Sequence, residues 1–98
     1  MENVRDYETV FIINPETDEE GKENIIERIK KYINDNDGEI KEIDKWGEKE
    51  LAYEINDYKT GYYTVIEFSA KTSLISGLEY EFSILGDVLR TLIINRSE

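Results

Sequence analysis

The chain has 98 residues, 39% of them hydrophobic, with seven Tyr, three Phe and one Trp, enough for one packed core in a single domain spanning residues 1–98. It contains no Cys and no His, which excludes a disulfide scaffold, thiolate metal sites, thiol catalysis and the usual near-neutral proton shuttle. The formal net charge of −11 opposes the simplest nucleic-acid reading, but leaves room for one small basic face working beside a basic partner.

Tyr7 to Ile13 is a β-rich run closed by Asn14-Pro15. Glu8 shares its side with Val10 and Ile12, so alternation sends Phe11 and Ile13 to the core. Thr17-Asp18-Glu19-Glu20 reads as a capping box in which Thr17 caps and Glu20 reaches back. The helix it opens carries Ile25 or Ile26, Ile29, Tyr32 and Ile33 at helical spacing. Asn36-Asp37-Gly38 stops it, with Gly38 suited to the left-handed position. From Glu39 to Ile55 the pattern is again strand, but Ile40, Ile43 and Trp46 are three apart while Leu51, Tyr53 and Ile55 alternate. That change of phase predicts a bulge or bend at Trp46-Gly47. Asn56 to Gly61 forms a turn, and Tyr62 to Phe68 is the returning strand. Thr72 or Ser73 opens a second helix with Leu74 or Ile75, Leu78, Phe82 and Leu85 on its stripe, ended by Gly86. Leu89 to Asn95 is the last strand, with Leu92 and Ile94 on one face.

The order βαββαβ points to an α+β fold, the ferredoxin-like sandwich of a four-stranded antiparallel sheet with two helices on one face. The other sheet face is then open to solvent or a partner. Its outward apolar set reads as Val10, Ile12, Tyr63, Val65 and Ile93, which marks it as a protein-partner interface.

Several local patterns that suggest chemistry have plainer explanations. Asp35-Asn36-Asp37-Gly38 looks like part of a calcium loop, but Ile33 stands at the first acidic position and Asp44 at the closing one. It is a helix-end turn. The RNA-recognition motif shares this element order, yet Thr60, Tyr63, Thr64 and Glu67 break its third-strand signature. Phe11, moreover, turns inward by parity, so base stacking on the sheet is not expected. Carboxylates are spread over polar faces and turns, and no Gly-rich phosphate loop exists. These readings predict no enzymatic reaction, no cofactor and no small-molecule substrate. No apolar run approaches membrane-spanning length, and Met1 to Asp6 has no signal-peptide pattern, which makes the cytoplasm the expected compartment.

Seven short motifs, in order, are similar to those of one family over nearly the whole chain. They are Arg5-x-Tyr7-Glu8, Ile13-Asn14-Pro15, Gly38-x-Ile40, Trp46-Gly47, Leu51-Ala52-Tyr53-Glu54-Ile55, Gly61-Tyr62-Tyr63 and Asp87-Val88-Leu89-Arg90. With them the chain resembles the bacterial small-subunit ribosomal protein S-six family. The resemblance implies the same ferredoxin-like fold and a non-enzymatic, ribosome-associated structural role. It also implies binding to the central domain of 16S rRNA together with a small basic partner, ribosomal protein S-eighteen. By the same resemblance Arg5, Lys49 and Arg90 become RNA-binding candidates, with Lys45 and Lys59 beside them. Glu48 and Glu50, where the family carries basic residues, are expected to weaken direct RNA affinity. The competing reading is a non-ribosomal protein–protein interaction module on the same fold. It predicts that the open-face residues matter while Arg5, Lys49 and Arg90 are dispensable. An acylphosphatase-like enzyme would need an Arg in a phosphate-binding loop, whereas Arg5 and Arg90 sit at strand starts.

Overall fold

In a strand, side chains alternate between faces, so a central strand divides the molecule into two sides. The computed structural model describes residues 3–97; Met1 and Glu2, the first residues of the segment expected to lack a signal-peptide pattern, and Glu98 lie outside the described residues. The elements are β1 (Val4–Ile13), α1 (Glu19–Asp35), β2 (Glu39–Ile55), β3 (Tyr58–Lys71), α2 (Leu74–Ser83) and β4 (Val88–Asn95). They form one four-stranded sheet in the order β2-β3-β1-β4, every neighbouring pair antiparallel. This is the ferredoxin-like sandwich.

Tyr7, Thr9, Phe11 and Ile13 of β1 face the helices, opposite Phe68, Ile66, Thr64 and Tyr62 of β3. Ile25, Ile26, Ile29 and Ile33 of α1 and Leu74, Leu78 and Phe82 of α2 close over them. Phe11 meets Phe82 with ring centroids 5.0 Å apart, and Tyr7 stacks on Phe68 at 5.6 Å. The two helices approach closely where Gly77 faces Tyr32, since a Cβ on Gly77 would lie 1.8 Å from the tyrosine hydroxyl.

The helix ends differ in detail from the sequence pattern. Asp18, not Thr17, is the N-cap of α1, its Oδ1 accepting from the Gly21 N–H at 2.7 Å. Thr17 is held one step earlier by a turn in which its N–H donates to the Asn14 carbonyl at 3.1 Å. At the other end Asp37, not Gly38, takes the left-handed conformation, with φ 66°. Gly38 N–H donates to the Ile33 carbonyl at 2.8 Å and Asp37 N–H to Asn34 at 3.3 Å, which is the Schellman pattern. Gly38 is needed there for close approach, because a Cβ would come within 2.5 Å of the Ile33 side chain. α2 ends at Ser83 with Ile84 as C-cap, three residues before Gly86.

β2 carries the bulge that its phase change predicts. Lys45 pairs with Thr64 but Gly47 with Tyr63, so Trp46 is an extra residue, and Gly47 adopts φ +88°. A second slip lies between Ile40 and Glu42, leaving Lys41 extra. A straight 17-residue strand would run about 55 Å, longer than the molecule's 44 Å longest dimension, so these bulges bend it. The hairpin turn is tighter than the Asn56–Gly61 pattern suggests. Only Asn56 and Asp57 separate β2 from β3, both with positive φ (51° and 69°), and Lys59, Thr60 and Gly61 already belong to the strand.

Two substitutions probe this packing. Gly77→Ala forces Tyr32 out of the helix–helix contact and is expected to cost about 1–3 kcal/mol in urea unfolding. Thr64 Oγ1 is buried with no hydrogen-bond partner among the described residues, so Thr64→Val is expected to hold stability or raise it by about 1 kcal/mol.

Candidate docking face

Pairing carries the parity of β1 across the sheet, so the side away from the helices can be read in rows. One row is Glu42, Glu67, Glu8 and Ile94; the next is Asp44, Val65, Val10 and Leu92. A third holds Tyr63, Ile12 and Arg90, with the bulged Trp46 stacked on Tyr63 at 6.2 Å between ring centroids. Along the strands the face thus passes from acidic, through aliphatic, to aromatic and cationic at the hairpin end. First and third rows are about 13 Å apart at strand rise.

Val10, Ile12, Tyr63 and Val65 all lie on this open face, but Ile93 does not. Ile93 pairs with Thr9 and packs against the helix-side core, so its place in the outward set is corrected. The run Leu92-Ile93-Ile94 offers no alternation of its own, and the register with β1 decides that Leu92 and Ile94 face outward. Ile12 and Val65 are themselves buried, with Gly61 so close that a Cβ would meet Ile12 at 2.3 Å. They form the floor of the face. The apolar surface actually offered comes from Leu92 (57% exposed), Trp46 (48%) and Tyr53 (58%). Only the bulge hints at Trp46 in the sequence; Leu92 and Tyr53 carry no signal beyond strand alternation.

The five basic candidates are not brought to one place. Lys49 lies over the Trp46 ring at 5.9 Å and Arg90 over the Tyr53 ring at 5.2 Å, both at the hairpin end of the open face. Lys59 is exposed near the start of β3. Arg5 pairs with Ala70 at the opposite end of β1, on the helix side. Lys45 also turns to the helices and donates to Glu23 of α1. That hydrogen bond, opposed by burial, raises the Lys45 pKa above the ordinary lysine value. The ammonium therefore stays charged at neutral pH, and on the alkaline side the pairing is lost as pH passes the raised pKa. Among the described residues, seven of the twelve basic side chains sit in ion pairs, whereas Arg5, Lys49, Lys59, Lys71 and Arg90 do not.

Phe11 is fully buried, so the sheet lacks the inner aromatic that an RNA-recognition platform would need. Among the described residues no group of three or more carboxylates converges to hold a metal ion, and no helix is long and apolar enough to cross a membrane. The arrangement can bind and orient.

Comparison with known proteins agrees with this architecture. Residues 6–95 match the family model described as ribosomal protein S6. The small ribosomal subunit protein bS6 of Clostridium novyi (strain NT) is 42% identical over 92 residues, covering 94% of this chain and 97% of the relative. The protein of the same name from Clostridium botulinum (strain Loch Maree / Type A3) is 42% identical over 93 residues, covering 95% and 99%. The crystal structure of 30S ribosomal protein S6 from Thermotoga maritima superposes with a TM-score of 0.91 at 35% identity, over 96% of this chain and 89% of that one. Sequence and overall shape agree, and the chain belongs to the ribosomal protein S6 family.

Proposed function

We propose that this chain is a structural constituent of the bacterial small ribosomal subunit, in the cytoplasm, binding the central domain of 16S rRNA together with the basic protein S-eighteen. The observation that carries the reading is an open sheet face offering Leu92, Trp46 and Tyr53 to solvent beside two cations, Lys49 and Arg90, that have no ion pair among the described residues, on a member of this family. Exposed apolar side chains on a buried aliphatic floor suit a permanent protein contact. Val10, Ile12, Tyr63 and Val65 support that contact from beneath or alongside. Residues 1–98 act in it as one domain.

Phosphate contact is assigned first to Lys49, Arg90 and Lys59 at the hairpin end. Arg5 makes a separate contact at the far end of the sheet. Lys45 contributes only if it leaves Glu23. A chain with a net charge of −11 gains little from phosphates alone, so the protein contact has to carry much of the affinity.

Sucrose-gradient sedimentation of a native lysate tests the reading. The chain is expected to migrate with small subunits and to stay there through a high-salt wash, because buried contacts are screened less than phosphate contacts. Remaining at the top of the gradient in low and high salt would leave the non-ribosomal interaction module as the better account. Within the assembled complex, Lys49→Ala and Arg90→Ala should each weaken RNA binding and lower the log–log salt slope by about 1. An unchanged slope in both would remove these residues from the RNA contact.

A further inference from the structure

The register sets three carboxylates abreast on the open face. Glu42 opposes Glu67 across β2 and β3, and Glu67 opposes Glu8 across β3 and β1. Opposed side chains in such pairs start about 5 Å apart, and like charges there destabilise a sheet. Glu8 has Arg96 at 3.8 Å. Among the described residues no cation lies within ion-pair distance of Glu42 or Glu67, and the adjacent Lys41 is held by Glu39 at 3.2 Å. Folding alone gives no reason for this row.

The neighbouring row supplies what a ligand would rest on. A small hollow of about 90 Å³ is lined by Glu8, Glu42, Asp44, Trp46, Val65 and Glu67. Its floor is aliphatic, its walls are carboxylates and one side is an indole. Asp44 is itself fixed by accepting from Trp46 Nε1 at 3.0 Å. Leu92 stands exposed in the same row as Val65. The carboxylates lie along a line rather than around a point, which does not suit a metal ion.

We propose that this hollow seats an Arg or Lys side chain of the protein partner, with an aliphatic neighbour of that residue resting on Leu92. The inference depends on the ribosomal reading above and specifies what the partner presents. A cation lying over Val65 reaches carboxylates on both sides and the Trp46 face. The same charge row repels phosphate, so on the open face RNA is confined to the Lys49 and Arg90 end. The face is divided between a protein-reading half and an RNA-facing half. In the free chain the row costs stability, and the arriving cation offsets that cost.

The test uses Glu67→Gln and Glu42→Gln in the full chain, with purified S-eighteen as the probe. Each variant is expected to bind S-eighteen about ten-fold more weakly, as when one side of a charge pair is removed. Each free variant should also melt about 2–4 °C higher at low salt, because a like-charge pair is relieved. Leu92→Ala should weaken binding without raising the melting temperature. Unchanged affinity of both glutamine variants, with wild-type binding intact, overturns the proposal and leaves the ribosomal reading standing. A lowered melting temperature also overturns it, since the carboxylates would then serve the fold. If wild type fails to bind S-eighteen at all, the partner reading falls and the proposal with it. Stronger binding of a central-domain 16S transcript by the variants, without loss toward S-eighteen, would assign the hollow to RNA and reject the protein cation.

Discussion

The pairing of β1 with β3 runs through ten consecutive residues, from Val4 opposite Lys71 to Ile13 opposite Tyr62, without a slip. Because side chains alternate with a period of two, that unbroken register assigns every residue of the two central strands to a face. Phe11, Ile13, Ile66 and Phe68 go to the helices, while Glu8, Val10, Ile12, Val65 and Glu67 go to the open side. A slip of one residue would turn the core outward and bury Glu8 and Glu67. Core and docking face are therefore two consequences of one register.

The outer strands depart from that regularity where the open face needs shape. In β2 the extra residue at Trp46, made possible by the positive φ of Gly47, bends the strand and lays the indole on Tyr63. The bend also brings Lys49 over the indole, while Tyr53 further along reaches Arg90 of β4. Bulges and charges on this long edge strand discourage unintended strand pairing. In β4 a slip opposite Ile12 and Ile13 makes room for one extra residue at Leu89.

Charge does little for the fold and sets the polarity of the open face. Pairs such as Lys30–Glu27 and Lys31–Asp35 lie at the surface, Lys22–Glu19 has an exposed carboxylate partner, and each is worth little individually. They do, however, occupy all three lysines of α1, and among the described residues the cations outside ion pairs are Lys49, Lys59 and Arg90 toward the hairpin end of the sheet and Arg5 and Lys71 at its far end. The acidic excess is concentrated elsewhere, including the open-face row of Glu8, Glu42 and Glu67. An acidic chain can in this way present one cationic region and one anionic region on a single face.

Local patterns in the sequence determined the element order, the length of α1, the inward turn of Phe11 and Ile13, and the bulge at Trp46-Gly47. Each depends on residues only a few positions apart, where helical or strand periodicity leaves a direct trace. Cap identity was less legible, because Thr17 and Asp18, or Asp37 and Gly38, are chemically interchangeable until the backbone picks one. Tertiary structure alone decided that Ile93 faces inward, that Leu92 and Tyr53 are exposed, and that three glutamates stand abreast. Those facts depend on how strands far apart in sequence align. Alternation within a strand says which residues share a face, but only the hydrogen-bonded register says which neighbours they meet there.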